Sequence, residues 1–382
     1  MNFLKTILSF LVFFSVYQIM ATDSRVQSMG KHDTFFMDDI SIFWNPANIN
    51  IFPNFLMGEL GVVDTASKVS SVTDFENFNP SRPWFGGIFS YSMNKDKESE
   101  SRYPQVTVGA VFNHENALIE MINDSLRAHS KQPMVGTSDF FVGHTTKSGL
   151  MSGIHLLYAG QNEGGSPSHV MKLDGGVNMP MTENIDLEVS GGMANLKSQA
   201  LDPSYDETDF SFYGSVRLFS TMILINGEIV PVFKFNQTKF QDRLDNTRVS
   251  GGVGANVSLD KGFFWTGFEL GYSNEDVSNN KSTEATFSFG IERNVWWDWF
   301  VLRVGGRQTL FFRDNDGNKY WDMTNKSNGT NNDLVGLGVG LNIEEKLKID
   351  GVVAEDIPYT FGNLFSGAAH HLMTRITATY SF

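Results

Sequence analysis

The C-terminal end of the chain places the strongest constraint on its fold. Its last thirteen residues, 370 to 382, alternate between two kinds of side chain up to the terminal residue. One face carries Leu372, Thr374, Ile376, Ala378, Tyr380 and Phe382, and the other carries Met373, Arg375, Thr377, Thr379 and Ser381. This period of two indicates a β-strand with one apolar face. A strand that ends a chain in this way is typical of a β-barrel with lipid outside and water inside, and an ordinary edge strand of a soluble sheet is the alternative.

The N-terminal segment, residues 1–21, has the features of a secretory signal peptide. Lys5 precedes an apolar run from Ile7 to Met20, and Ala21 is a small residue at which a peptidase could cut. The mature chain is then expected to begin near Thr22. No later segment offers about eighteen consecutive apolar residues, so a membrane location would require a closed barrel instead of helices.

Composition excludes several classes of site and partner. The chain has no Cys, which excludes a disulfide framework and a thiolate metal site. Its formal net charge of −14 argues against nucleic acid as a partner, because phosphates are bound by Lys and Arg. No cofactor is predicted. No linker or composition shift divides the chain, which favours one large barrel.

Alternation recurs along the chain and predicts sixteen strands. In 246–259, Val249, Val253, Ala255, Val257 and Leu259 face outward, against Ser250, Gly252, Gly254, Asn256 and Ser258 inward. In 281–292, Ala285, Phe287, Phe289 and Ile291 face outward, against Glu284, Thr286, Ser288 and Glu292 inward. The predicted strands are 56–64, 84–93, 104–114, 136–146, 150–160, 168–179, 183–196, 206–219, 221–236, 246–259, 262–274, 281–292, 296–312, 334–342, 345–355 and 370–382.

The connections between these strands alternate between tight and long, as in outer-membrane barrels with short periplasmic turns. Tight connections are predicted near 181–184, 219–222, 259–262, 293–297 and 342–346. Long ones are predicted near 160–168, 197–206, 236–246, 274–281, 313–332 and 355–370. Both termini then lie at the same, periplasmic end. The aromatic residues beside two tight turns predict an interfacial girdle: Phe263, Phe264, Trp265, Trp296, Trp297, Trp299 and Phe300.

The predicted inward positions give a lumen with charges of both signs. They are Asp186, Glu188, Arg217, Glu228, Glu269, Glu284, Arg303, Arg307, Lys348, Asp350 and Arg375. Most of these groups are expected to be solvated or paired, since barrel interiors are commonly polar. The sequence Asp314 to Asn318 superficially resembles a calcium loop, but its glycine and acidic spacing favour a turn. With no metal-ligand spacing and no G-x-S-x-G sequence, neither a metal site nor a catalytic residue is predicted, and the chain is not expected to be an enzyme.

The stretch from Asp38 to Phe52 breaks the alternation and carries a specific motif. An acidic pair and a Ser precede an aromatic residue and Asn45-Pro46-Ala47. Pro46 suits the first position of a short helix that Asn45 would cap. With the signal peptide before it and the strands after it, the motif resembles the N-terminal plug of the long-chain fatty-acid transporter family (FadL and TodX) and its PorV-like relatives. The plug-motif residues are Asp39, Asn45, Pro46 and Ala47.

This resemblance implies an all-β, transmembrane outer-membrane barrel of fourteen antiparallel strands with an N-terminal plug, where the hairpin count indicates sixteen. The expected organisation is a signal peptide over 1–21, a plug over 22–55 and the barrel over 56–382. The location is the outer membrane of a Gram-negative-type bacterium. Phe382, two residues after Tyr380, also resembles the signal read by the outer-membrane assembly machinery, which is an expected partner together with the bilayer.

The family role implied is passive transport of hydrophobic small molecules such as long-chain fatty acids. A docking or shuttle role in secretion, as for the PorV-like relatives, and a structural porin are the alternatives. Residues 115–130 show helical spacing, and Leu118, Ile119, Ile122 and Leu126 either form a ligand-capturing groove or pack on the barrel rim. Pro231 interrupts a strand and predicts a bulge or kink, which marks either a lateral opening or a harmless irregularity.

Overall fold

In a computed structural model, the chain forms one closed antiparallel barrel around an N-terminal segment. The structure describes residues 23–30, 33–61, 83–92, 105–114, 116–129, 131–134, 136–163, 165–201, 208–222, 226–241, 244–277, 280–315, 318–322, 334–344, 346–354 and 375–382. Residues 1–21, where a signal peptide is predicted, lie outside these ranges.

The described chain contains seventeen strands. They are β1 (Phe55–Gly61), β2 (Trp84–Ser92), β3 (Gln105–Phe112), β4 (Thr137–Thr145), β5 (Met151–Glu163), β6 (Ser166–Thr182), β7 (Ile185–Ser198), β8 (Asp209–Met222), β9 (Gly227–Phe240), β10 (Leu244–Leu259), β11 (Gly262–Glu275), β12 (Asn280–Asn294), β13 (Phe300–Asn315), β14 (Asn318–Asp322), β15 (Leu334–Ile343), β16 (Leu347–Ala354) and β17 (Arg375–Ser381).

Sixteen of these strands close the wall. Each pairs with its neighbours along the chain, and β1 pairs with β17, with Phe55 opposite Ser381, so no edge remains. The exception is β14, which pairs only with the outer part of β13, while β15 pairs with the rest of β13. The hairpin count of sixteen is therefore confirmed, and the family-based fourteen is not the number observed.

The alternation predicted from sequence sets the two faces of the wall. In β17, Thr377 and Thr379 are buried inward while Tyr380 is exposed. Ser250, Asn256, Ser288 and Glu292 are likewise buried, and Val253 and Phe287 are exposed. A lipid-facing barrel requires this pattern, with small or polar residues inside and apolar side chains outside.

The barrel has two distinct ends. The start of β1, the C-terminus and the tight connections after β4, β6, β8, β10, β12 and β15 lie at one end, here called the turn end, and the opposite end is called the loop end. Three connections expected to be long are short: β5 and β6 pair up to Glu163 and Ser166, and β9–β10 and β11–β12 pair nearly as far. Most of the residues at these strand ends are polar, so alternation of hydrophobicity did not extend the predicted strands.

The predicted aromatic girdle is correct only in part. Trp296, Trp297 and Trp299 are exposed at the turn end, where Trp297 stacks on Trp299 and meets Trp296 edge-on. Phe263 and Trp265 are buried inside the barrel, so their assignment to the girdle was wrong. Because side chains alternate along β11, only Phe264 of that run can face outward.

Residues 23–30 and 33–54 lie inside the wall at the turn end and are called the plug. The plug contains helix α1 (Asp23–Ser28) and two 3-10 turns, Asp39–Phe43 and Pro46–Asn50. A second helix, α2 (Ala117–Ala128), lies between β3 and β4 at the loop end, with Asn116 as its cap. Among the described residues, no helix is long and apolar enough to cross a membrane.

Candidate functional site

The plug motif forms the second 3-10 turn as the sequence predicts. The Asn45 side chain accepts a hydrogen bond from the Ala47 amide (3.0 Å), and Pro46 occupies the first turn position. The same side chain donates to the Val177 carbonyl oxygen in β6 (3.3 Å). Asn45 therefore caps the turn and also anchors it to the wall.

Two wall glycines let this turn approach the strands closely. A Cβ at Gly176 would overlap the Asn45 side chain, and one at Gly153 would overlap the Pro46 carbonyl group. Both glycines belong to the inward rows of β6 and β5. Any larger residue at these two positions would displace the motif from the wall.

Asp39, the acidic member of the motif, has an unusual environment. Its carboxylate is buried, and neither oxygen has a hydrogen-bond partner among the described residues. Its amide donates to the carboxylate of Asp38 (2.6 Å), which caps the first turn. Burial raises the pKa of Asp38 to about 6, although Arg25 opposes the shift, and burial beside Asp38 raises the pKa of Asp39 well above its usual range.

A chain of buried ion pairs joins the plug to the wall on the side of β12–β16. Arg25 in α1 contacts Asp38 (3.1 Å) and Glu292 of β12 (2.7 Å). Glu292 also accepts from Arg303 of β13 (2.5 Å), which in turn donates to Asp350 of β16 (2.5 Å). The inward charges predicted from sequence at Arg303 and Asp350 are thus paired, and Arg25 was not foreseen as their link to the plug.

Arg217 holds the plug on the opposite side, through backbone carbonyl groups. Its Nη1 atom donates to the carbonyl oxygens of Asp33 and Thr34 (both 3.3 Å) and of Phe36 (3.5 Å). Its Nε atom donates to Glu188 (2.8 Å), which neutralises the buried guanidinium. Since both strand residues were predicted to face inward, the alternation located this anchor without identifying its partner.

Lys234 of β9 also contacts the plug, at the edge of a cavity. Its Nζ atom donates to Glu269 (2.6 Å) and to the Thr34 hydroxyl (2.9 Å), and it lies 5.0 Å from the ring centre of Trp44. Unlike Arg217, it lines a cavity above the plug. This side chain therefore touches the wall, the plug and the cavity at once.

The cavity lies between the plug and α2 and has a volume of about 550 Å³. Its charged lining residues are Asp33, Lys172, Lys234, Arg248, Glu269, Glu284 and Arg307. Its apolar and aromatic lining residues include Phe43, Trp44, Leu118, Tyr213 and Phe235. Lys172 bonds Asp174 (2.7 Å) and Arg248 bonds Glu284 (2.6 Å), so the cavity presents paired charges beside apolar surface.

His155 lies in the wall close to this cavity. Its Nδ1 atom contacts Asp174 and its Nε2 atom contacts Asp139, both at 2.8 Å. A ring nitrogen that meets an ionised carboxylate must donate, so this geometry suits a doubly protonated imidazolium. Phe141 stacks on the ring and Phe43 of the plug meets it edge-on. Sequence analysis missed this triad, because Asp139, His155 and Asp174 come from three different strands.

Three of the four residues predicted to capture ligand are buried. Ile119, Ile122 and Leu126 pack against inward side chains near the loop end of β5, β6, β7 and β9, namely Leu157, Ala159, Val170, Ala194, Leu196 and Phe240. Only Leu118, which is half-buried, reaches the cavity. The observed arrangement matches the alternative in which α2 packs on the barrel.

Pro231 interrupts the wall without the predicted bulge. On one side β9 pairs with β10 in continuous register through Pro231 and Val253. On the other side the pairing of β8 with β9 is broken between Arg217–Val232 and Ser220–Ile229, and the register is unchanged. Val230 and Val232, the buried residues of β9 on either side of Pro231, belong to the apolar cluster that contacts the plug.

No protein-family model matches the sequence, and no curated protein matches it. Solved structures with a similar fold include the following three. A bacterial polysaccharide outer membrane secretin shares 9% identity at a TM-score of 0.43, with 86% of this chain and 97% of that chain covered. CdiB from Escherichia coli shares 9% identity at a TM-score of 0.43, with 86% and 63% covered. The copper transporter OprC shares 11% identity at a TM-score of 0.36, with 78% and 65% covered.

The described wall is a closed antiparallel β-barrel of sixteen strands with an apolar outer face. Likenesses this distant carry no argument about what passes through it or binds to it. Any such argument has to come from the plug, the cavity and the wall themselves.

Proposed function

We propose that this protein is a plugged outer-membrane barrel for the passive uptake of small amphipathic molecules, with long-chain fatty acids as the candidate ligands. The observation that supports this most directly is the cavity between the plug and α2. Its volume of about 550 Å³ lies in the usual range for small-molecule sites, which are roughly 300–1,000 Å³. Lysine and arginine side chains suit a carboxylate, while Phe43, Trp44 and Leu118 suit an apolar chain.

The route follows from where the two inner elements lie. The plug closes the turn end, and α2 covers only part of the loop end, against β5–β9. A ligand would enter from the loop end, bind in the cavity, and leave when the plug shifts. No covalent step is involved, and the wall and the plug supply only binding and gating.

Lys234 provides a physical link between ligand binding and that shift. Its ammonium group already divides its donors between Glu269 and the Thr34 hydroxyl of the plug. A ligand carboxylate that takes one of these donors would weaken the hold on Thr34. Binding would then lower the free energy needed to release residues 33–36.

The decisive experiment is to identify what the purified full chain carries. Native mass spectrometry and lipid analysis should find a fatty acid or a similar amphipathic acid. Added oleate should bind, and Lys234→Met should weaken that binding relative to Lys281→Met, a charge change on an exposed residue of β12 outside the cavity. If no amphipathic molecule is retained and oleate does not bind, the proposal is wrong.

One observation favours the second candidate, a docking or shuttle role in secretion. The turn end is sealed by buried ion pairs through Arg25, Glu292 and Arg303, and described cavity cations such as Lys172, Lys234 and Arg248 are already paired with carboxylates. A barrel that only docks a partner has no need for its plug to move.

Loosening the plug separates the two roles. Arg25→Met removes the buried cation that joins α1 to Glu292. If plug movement limits uptake, this variant should take up oleate into proteoliposomes faster than the wild type, with Lys281→Met as the control. Uptake equal to that of the wild type would favour the docking role.

A further inference from the structure

The outer surface of the wall carries an apolar groove that neither the plug nor the cavity explains. It spans β12, β13, β15 and β16 and has a volume of about 510 Å³. Its lining includes the outward side chains of Leu302, Val304, Leu337 and Val339, which alternate with buried inward residues of the same strands. Four adjacent strands cover about 14 Å, at a spacing of about 4.8 Å.

Strand pairing explains why the wall is concave here. Leu302 is opposite Val339 and Val304 is opposite Leu337, which forms two outward rows of short side chains. On the other side of β15, Val339 is opposite Gly351 of β16, and this glycine has no side chain. Leu337 pairs with Ala354 but Gly338 pairs with Val352, so Val353 is an extra, bulged residue beside the groove.

An exposed cation borders this apolar surface at its turn end. Arg293 is exposed, lines the groove and lies opposite Leu302 across the β12–β13 pair. No hydrogen bond or ion pair joins its side chain to any residue that the structure describes. The exposed tryptophans 296, 297 and 299 follow immediately in the chain and mark the level of the membrane interface.

We propose that this groove binds one membrane phospholipid, with an acyl chain along Leu302, Val304, Leu337 and Val339 and the phosphate on Arg293. The apolar lining matches the chain, and the guanidinium matches the phosphate in charge and geometry. The occupant is a lipid of the leaflet at the turn end, because Arg293 and the tryptophans place its head group there. The site lies outside the wall and is separate from the cavity of the proposed uptake route.

The test uses the full chain purified in detergent, with phosphatidylglycerol as the probe and native mass spectrometry as the readout. The wild type should retain about one phosphatidylglycerol per barrel. Val339→Phe, which fills the groove, and Arg293→Gln, which removes the cation, should each weaken retention by about tenfold. Arg293→Lys should retain most of it. Val304→Phe fills the same groove from β13 and replaces Val339→Phe if that variant does not fold.

Two matched controls place equivalent changes elsewhere on the outer face. Val253→Phe adds the same bulk at an exposed position of β10, and Lys281→Gln removes an exposed cation near the loop end of β12. Both should retain phosphatidylglycerol as the wild type does. The proposal is overturned if the groove variants match these controls, or if oleate at equal concentration displaces the phospholipid completely, which would make the groove a fatty-acid site.

Discussion

Replacing Arg25 by Met should release the plug while leaving the barrel folded. The Arg25 guanidinium is buried and donates to Glu292 from Nε (2.7 Å) and Nη2 (3.3 Å) and to Asp38 from Nη1 (3.1 Å). Methionine has a similar length but no donor. Removing the guanidinium leaves the buried Asp38 carboxylate unpaired, because Arg25 is the only cation that forms an ion pair with it among the described residues.

The size of the effect follows from which carboxylate keeps a partner. Breaking a buried ion pair by removing one member costs about 3–5 kcal/mol. Glu292 still accepts from Arg303, so we expect the lower end, about 3 kcal/mol. That corresponds to more than a hundredfold increase in the population with an undocked plug, at about 1.4 kcal/mol per tenfold.

Hydrogen exchange of the intact protein in lipid vesicles measures this directly. Amides of residues 33–52 should lose protection in Arg25→Met, whereas amides in the strands should not. Arg248→Met is the matched control, because the Arg248–Glu284 pair is partly exposed and such pairs contribute about 1 kcal/mol or less. Arg25→Met combined with Asp38→Asn should recover most of the protection, since no uncompensated charge remains. Equal protection in Arg25→Met and Arg248→Met would refute the assigned role of the ion-pair chain.

Three further predictions concern the plug, the wall and the terminus. Asp38 and Asp39 have raised pKa values in the docked plug, so each favours docking while protonated and disfavours it as pH rises through its docked pKa. For Asp38, with a docked pKa of about 6, this amounts to about 3 kcal/mol, so protection of the plug amides relative to intrinsic exchange at the same pH should fall from pH 4 to pH 8, and Asp39→Asn should reduce that fall. Pro231→Val should complete the β8–β9 ladder and slow oleate uptake at equal barrel abundance if the gap is an exit, and unchanged uptake would leave Pro231 as a local irregularity. Deleting Phe382, which contacts Phe89 at the seam of the barrel, should prevent outer-membrane assembly but not export, as judged by fractionation and by the folded band in unboiled gels.

The wall was predictable because a strand's two faces are set by residues that are adjacent in sequence. Val253 and Ser250, or Phe287 and Ser288, reveal their orientation without reference to any other strand. The same rule, applied to Phe263 and Trp265, would have placed them inside the barrel, against the plug. Their position beside a turn suggested an interface, but the period of two overrides proximity to a turn.

The candidate site was less predictable because its contacts cross the barrel. Arg25 meets Glu292 over a sequence separation of 267 residues, and no local pattern marks such a pair. His155 lies between Asp139 and Asp174 only because the β5–β6 register places Asp174 opposite His155 and the β4–β5 register places Asp139 diagonally across from it. Local chemistry did predict the Asn45 cap and the turn at Pro46, since capping depends on neighbouring residues alone.

The two cations that hold residues 33–36 differ in what a ligand can reach. Arg217 is fully buried, binds the plug through backbone carbonyl groups and is neutralised by Glu188, so it keeps its contacts whatever the cavity contains. Lys234 lines the cavity, donates one hydrogen bond to the plug, at the Thr34 hydroxyl, and lies over the Trp44 ring. An anionic ligand, if the cavity binds one, would compete with the plug for Lys234 and not for Arg217. Under the proposed function, ligand binding and plug release share this one side chain, and by linkage each must change the free energy of the other by the same amount.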